Sequence, residues 1–164
     1  MRVLLQRVSQ AQVLVDGRSV AAIGRGYLLL TGIAPADTPG TVAQMAEKIV
    51  HLRLFNNELG KFDRSLLDLG AEALVVSQFT LFADARKGRR PSFTRAAAPE
   101  TARQLVQLFA EELLRLGVPQ VPQGRFGASM QVLLVNDGPV TLLLDSSDWT
   151  PPPAPPAATD GSAG

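Results

Sequence analysis

Two hydrophobic periods divide this chain. Over its first third, apolar and polar positions nearly alternate, with Val3, Leu5, Val13 and Val15 in the pattern of half-buried strands. The spacing predicts one strand from Arg2 to Val8 and another from Gln10 to Asp16. Asp16-Gly17 is a hairpin signal, because both residues tolerate positive φ. Gly24-Arg25-Gly26 then introduces the apolar run Tyr27 to Ile33.

After Pro35-Ala36-Asp37-Thr38-Pro39 the period changes. Val42, Met45, Ala46, Ile49 and Leu52 recur at helical spacing, and Thr38 suits an N-cap with Pro39 at the first helical position. A second helix is predicted from Pro99 to Leu116, with Ala102, Leu105, Val106, Phe109 and Leu113 on one face and Gly117 ending it. A buried strand, Ala73 to Leu81, lies between the helices. Met130 to Val135 and Val140 to Leu144 follow the second helix, separated by Asn136-Asp137-Gly138-Pro139. Strands outnumber helices and no βαβ series appears. The expected fold class is therefore α+β: a compact, β-rich single domain with antiparallel or mixed sheets and two main helices. Beyond Asp145, five prolines fall among residues 151 to 156, followed by Ala, Thr, Gly and Ser. Such a segment cannot bury enough apolar surface to offset its ordering entropy. The expected organisation is a domain over residues 1–145 and a disordered Pro/Ala-rich tail over residues 146–164.

Composition narrows the chemistry. The chain has 164 residues, 46% hydrophobic and 19% charged, which is ordinary globular usage. No apolar run approaches the ~20 residues that cross a bilayer, and residues 1–7 lack a secretory pattern. A cytoplasmic protein without membrane association is expected. The absence of cysteine excludes disulfides, thiolate zinc sites and cysteine nucleophiles. The one histidine, His51, lies beside Ile49, Val50 and Leu52 without an obvious orienting carboxylate, so a structural role is favoured over a catalytic one. Asp63, Asp68 and Glu72 have no metal-binding spacing, and no cofactor is implied.

Three segments carry polar chemistry. In Ser77-Gln78-Phe79-Thr80-Leu81, three hydrogen-bonding side chains directly follow the apolar run Leu74-Val75-Val76. A buried strand does not normally end so unless those groups have partners; a strand reaching the surface is the plain alternative. Asn136-Asp137-Gly138-Pro139 fits an ordinary Asp-Gly hairpin turn, although Pro139 cannot donate to a ladder. A cis Gly138-Pro139 bond would instead turn both neighbouring carbonyls to one side. Arg86 to Arg95 holds five basic residues in ten, with Phe93 among them. It suits phosphate contacts and base stacking, or is a solvated loop in a chain with 13 arginines and 3 lysines.

Ser77-Gln78-Phe79-Thr80-Leu81 and Asn136-Asp137-Gly138-Pro139-Val140-Thr141 resemble the two motifs of the D-aminoacyl-tRNA deacylases (the D-tyrosyl-tRNA deacylase family). Gln6-Arg7-Val8, Lys87-Gly88-Arg89-Arg90-Pro91-Ser92-Phe93 and Gly124-Arg125-Phe126-Gly127-Ala128 agree in order and spacing, so the resemblance covers about residues 1–145. Gly60-Lys61-Phe62-Asp63 departs from the more usual Gly-Lys-Met-Asn. The resemblance implies a homodimer that hydrolyses D-aminoacyl-tRNA, and glycyl-tRNA mischarged on other tRNAs, while rejecting L-aminoacyl-tRNA. By the same carry-over, Gly138-Pro139, in cis, enters the neighbouring subunit's pocket and faces Ser77, Gln78, Phe79 and Thr80, the catalytic motif. Arg7 helps to hold Gly138-Pro139, Phe79 and Met130 line the pocket for the terminal adenosine, and Lys87, Arg89 and Arg90 contact tRNA.

Without an adjacent base, a Ser-His-Asp triad does not fit this inventory. Two mechanisms stay open. The Thr80 hydroxyl attacks and forms an acyl-enzyme, or water attacks with help from the tRNA 2′-hydroxyl while backbone amides around Phe79 and Thr80 stabilise the oxyanion. The absence of an evident base for Thr80 favours the second. Other classes are an RNA-binding module without catalysis, a purely structural dimer, and a small-molecule esterase.

Overall fold

The computed structural model describes residues 1–149. The chain begins with one long strand, β1 (Arg2–Val15), followed by β2 (Arg18–Ile23) and β3 (Gly26–Gly32). Helix α1 (Pro39–His51) leads to a small hairpin, β4 (Phe55–Asn56) and β5 (Phe62–Arg64), and then to β6 (Glu72–Ser77). A 3-10 turn (Phe79–Phe82), helix α2 (Pro99–Arg115), strand β7 (Gln131–Asp145) and a last 3-10 turn (Ser146–Asp148) complete it. The α+β class follows: one five-stranded mixed sheet, the two-stranded β4–β5 hairpin and two helices.

β1 organises the sheet. Its first half pairs antiparallel with β3 and its second half with β2, while β7 runs antiparallel along it from Arg2 to Leu14. β6 adds to β3 in parallel, from Gly26 opposite Glu72 to Thr31 opposite Ser77. The period of two sorts the side chains into two cores. Val3, Leu5, Leu29 and Val75 face the helices, where they meet Met45, Ile49, Val106 and Phe109. Val8, Val13, Leu28, Leu74 and Val76 fill the opposite side.

Both helices lie where their spacing predicts. The Thr38 hydroxyl accepts from the Thr41 amide, and Pro39 opens α1. The Asp16-Gly17 turn has positive φ at both residues. Four expectations are corrected. The strands expected from Arg2 to Val8 and from Gln10 to Asp16 are one continuous β1, because β7 pairs with Val8 and with Gln10 on either side of Ser9. The strand expected to reach Leu81 ends at Ser77 and gives way to the 3-10 turn.

Asn136-Asp137-Gly138-Pro139 does not separate two strands as a hairpin. Both of its flanks pair with β1, Asn136 with Val8 and Thr141 with Gln6, so Arg7 alone stands opposite residues 137–140. The segment is a wide bulge in a single strand. Pro139 has no N–H for a ladder, and the Val140 amide donates to Asn136 Oδ1 at 2.7 Å.

The fold also passes the boundary drawn after Asp145. The Ser146 amide donates to the Met1 carbonyl at 2.9 Å, and Trp149 packs against the helix-side core. Four residues assigned to the tail thus belong to the domain, because Trp149 supplies the apolar area that the prolines lack. The remainder of the predicted tail lies outside the described residues.

Asp145 fastens this end of β7. Arg2 Nε donates to its Oδ2 at 2.6 Å, and the Ser147 amide and hydroxyl donate to Oδ1. Partial burial pulls its carboxyl upward, but the Arg2 and Ser147 hydrogen bonds outweigh that and hold it below the ordinary range. The contribution to stability is complete above about pH 3.9, the unperturbed aspartate value, and is lost as pH falls through the lower folded value. Asp145→Asn is therefore expected to destabilise at about pH 7 and to lose that difference toward about pH 2. Urea unfolding midpoints at the two pH values check this.

Candidate functional site

A cavity of about 390 Å³ opens beside the end of β6, within the usual range of ~300–1,000 Å³ for small-ligand sites. Ser77, Phe79, Phe93, Phe126 and Met130 line it, with Thr31 and Ile33 behind them. Phe79 is half exposed, at 52%, and meets Phe93 edge to face with centroids 5.0 Å apart. An exposed aromatic pair over an apolar hollow suits a flat heterocyclic ligand. No residue lining this cavity is an Asp, Glu, His, Lys or Arg.

The turn that carries Phe79 and Thr80 is seated on β3. The Gln78 amide donates to the Thr31 carbonyl at 2.7 Å. Gly32 permits this approach: a Cβ there would lie 3.0 Å from the Gln78 carbonyl oxygen and 3.1 Å from the Phe82 ring. Gln78 Nε2 donates to Thr80 Oγ1, and both Phe79 and Thr80 are exposed. The amides of Phe79 and Thr80 open a helical turn, where the first N–H groups have no intrahelical acceptor.

Gly138-Pro139 lies elsewhere on the chain. Its peptide bond is cis, Gly138 has φ 150°, and both residues are exposed. Arg7, only 5% exposed, holds the bulge from below. Its Nε donates to the Asp137 carbonyl at 2.7 Å and its Nη1 to the Leu54 carbonyl, and Asp137 Oδ2 lies 3.6 Å from Nε. The guanidinium also lies 5.5 Å from the Phe62 ring centroid. The Asn136 side chain closes the bulge by donating to Thr141 Oγ1 at 2.9 Å and accepting from Val140.

The structure brings Ser77, Phe79 and Met130 to one cavity, with Gln78 and Thr80 on its adjoining turn. It places Arg7 against the Gly138-Pro139 bulge. The basic loop reaches the cavity through Phe93. Arg86 folds back on Asp84, with Nε–Oδ1 2.9 Å, whereas Lys87, Arg89 and Arg90 are exposed and have no carboxylate partner among the described residues. His51 is exposed at the end of α1, its Nδ1 2.9 Å from the Glu47 carbonyl oxygen and away from the cavity lining. Sequence reasoning missed Thr31, Ile33, Ala97 and Phe126 as cavity residues. Their apolar or small side chains carry no local mark, and only long-range packing gathers them. Among the described residues no group of three or more His, Asp or Glu could hold a metal ion, and no helix is long and apolar enough to cross a membrane.

The comparisons bear on this geometry. A family model described as D-Tyr-tRNA(Tyr) deacylase matches residues 4–145. A D-aminoacyl-tRNA deacylase of Thermomicrobium roseum is 62% identical over 148 residues, covering 90% of this chain and 96% of the relative. One of Roseiflexus castenholzii is 59% identical over 152 residues, covering 93% and 96%. Among solved structures, a c-Myc DNA unwinding element binding protein is 41% identical with a TM-score of 0.83, over 88% of this chain and 98% of that one. A probable eukaryotic D-amino acid tRNA deacylase shares the fold at 19% identity, with a TM-score of 0.76 over 87% and 97%.

Proposed function

The chain belongs to the D-Tyr-tRNA(Tyr) deacylase family, a family of hydrolases acting on aminoacyl-tRNA, and from that premise we propose how this molecule uses its two motifs. It hydrolyses the ester that joins a D-amino acid, or a glycine mischarged on another tRNA, to the terminal adenosine. The observation that carries this reading is an apolar, aromatic cavity with no titratable lining, directly beside an exposed Phe79-Thr80 turn. Adenine enters the cavity against the wall formed by Phe79, Phe93 and Met130, and the ester carbonyl then lies at the turn.

Water attacks that carbonyl. The tRNA's own 2′-hydroxyl assists, and the Phe79 and Thr80 amides hold the developing oxyanion. Thr80 is not the nucleophile in this scheme. Its hydroxyl accepts from Gln78, and no histidine, carboxylate or lysine lines the adjoining cavity to serve as its base. An aminoacyl ester is already activated by its ammonium group and vicinal hydroxyl, so less acceleration is required than for a peptide.

Chirality is sensed by Gly138-Pro139 of a second copy, whose carbonyls receive the α-ammonium group. With nitrogen and carbonyl both fixed, the Cα substituent has one open direction, and an L side chain strikes the motif. Glycine has no Cβ to strike it and is cleaved. Support for the two-copy arrangement comes from β7, the strand that carries the bulge. Leu133, Val135 and Leu143 project from it as large apolar side chains about half exposed, as on a surface awaiting a partner. The basic residues Lys87, Arg89 and Arg90 supply phosphate contacts, and a cytoplasmic place in chirality proofreading follows from the substrate.

Thr80→Val is expected to keep hydrolysis of D-tyrosyl-tRNA within about tenfold of wild type, since the backbone amides remain. Glycyl-tRNA is expected to be cleaved in the same assay. Complete loss of hydrolysis by Thr80→Val with tRNA still bound, or a trapped acyl-Thr80 adduct, would establish the acyl-enzyme route. Resistance of glycyl-tRNA at high enzyme concentration would contradict the steric account.

A further inference from the structure

A second cavity, of about 430 Å³, adjoins the first. Ser77 and Phe126 line both, so the two are neighbours across the Phe126 ring. The segment that divides them is Gly124-Arg125-Phe126-Gly127-Ala128, which the proposed chemistry leaves without a role. It is pinned to the sheet by the Gly124 amide, which donates to the Val75 carbonyl at 3.0 Å. Glycine leaves room for Met130 at that point: a Cβ would lie 2.8 Å from Met130 Sδ, and the methionine side chain in the first cavity would have to shift.

The walls differ in chemistry. Where the first cavity is apolar, the second presents Arg103, Gln104, Gln107 and Gln123. Arg103 and Gln107 are four residues apart on α2 and therefore share its outer face, while Ala102, Leu105, Val106 and Phe109 are buried beneath them. The Arg103 guanidinium lies 5.0 Å from the Phe126 ring centroid and has no carboxylate partner among the described residues. It thus stands, unneutralised, at the junction of the two cavities. Gln123 Nε2 donates to Gln107 Oε1 at 3.0 Å, and Gln107 Nε2 to Glu111 Oε1 at 2.9 Å. Each of these amides keeps one further donor hydrogen, and Gln123 keeps its carbonyl oxygen as an acceptor. Gln104 is tied to Glu100 at 3.1 Å, but no carboxylate lines the cavity to repel an anion.

A guanidinium resting on an aromatic ring beside a row of amides, one ring away from a nucleoside pocket, suits a nucleotide. We infer that this second cavity holds the penultimate nucleotide of the tRNA 3′ end: Arg103 engages the phosphate that links it to the terminal adenosine, and Gln107 and Gln123 meet the base edge. The inference rests on the deacylase reading and extends it. Every tRNA ends in CCA, so such a subsite strengthens binding without distinguishing one tRNA from another.

Three esters of D-tyrosine separate the outcomes: D-tyrosyl-tRNA, the D-tyrosyl ester of the dinucleotide CpA, and D-tyrosyl-adenosine. In the wild type, kcat/KM for the CpA ester is expected to exceed that for the adenosine ester by about tenfold, the scale of one charge-assisted contact. Arg103→Ala and Gln107→Ala, both at exposed positions on a helix that alanine favours, should erase that step through KM and leave the adenosine ester within about twofold of wild type. Equal rates for the CpA and adenosine esters in the wild type would overturn the subsite. So would equal losses on all three esters, which would mean that Arg103 serves only to position Phe126. Inertness of the wild type toward all three would overturn the deacylase reading, and this inference with it.

Discussion

Gly138→Ala is expected to lower D-aminoacyl-tRNA hydrolysis by at least about a hundredfold while leaving the domain folded, since misplacement by ~1 Å at a reacting geometry costs about that much. A Cβ at this position would lie 2.7 Å from Val140 Cγ2 and 2.8 Å from the Val140 nitrogen. Neither atom can yield easily. The Val140 amide is bound to Asn136 Oδ1, and the flanking Asn136 and Thr141 are fixed in register against β1. The φ of 150° is also one that an L-residue rarely adopts. The bulge must therefore rearrange. Asp137, Gly138 and Pro139 are exposed and only Val140 at the end of the bulge is buried, so the cost in stability should stay within about 1–3 kcal/mol. Steady-state deacylation beside a urea titration separates the two effects. A fully active Gly138→Ala would mean that the bulge does not touch the substrate.

Arg7→Ala should injure both stability and activity. The guanidinium is buried and bridges two carbonyls, Asp137 on the bulge and Leu54 before the β4–β5 hairpin. Its removal strands the buried Leu54 carbonyl and frees the bulge, at about 1–3 kcal/mol per unsatisfied group. The urea midpoint is expected to fall accordingly. Hydrolysis should fall by a further hundredfold or so beyond any unfolded fraction, for the positional reason given for Gly138. Arg7 is a positioning residue, so kcat should suffer more than KM. Arg7→Lys tests the geometry. It keeps the charge, but a single ammonium cannot reproduce the fork that spans both carbonyls, and its activity should recover only in part. Full recovery by lysine would show that charge alone matters.

The two variants also mark where the sequence was legible. The helices were, because a capped start at Thr38-Pro39 and a 3.6-residue period are local facts, and α1 and α2 follow them. The Asp16-Gly17 turn was legible for the same reason. The bulge was not. Asn136-Asp137-Gly138-Pro139 carries local turn chemistry, but which strands its flanks join depends on β1, some 130 residues away. Ser77 to Leu81 is unusual in the sequence for the polar side chains that follow an apolar run. That it turns away from the sheet depends on Gly32, whose missing Cβ leaves room for Gln78. Phe93 stands out in the sequence as an aromatic ring in a basic loop, while Phe126 and Ala97 enter the cavity wall by tertiary packing alone. Trp149 shows the same limit at the other end, since composition placed it in a tail and packing places it against the core.

The most direct measurement is a deacylation time course on one tRNA charged in parallel with D-tyrosine and L-tyrosine. Rapid loss of the D-ester, with the L-ester decaying no faster than in buffer, is the predicted result. Persistence of both esters under conditions where the tRNA is bound, or equal cleavage of both, would contradict the account.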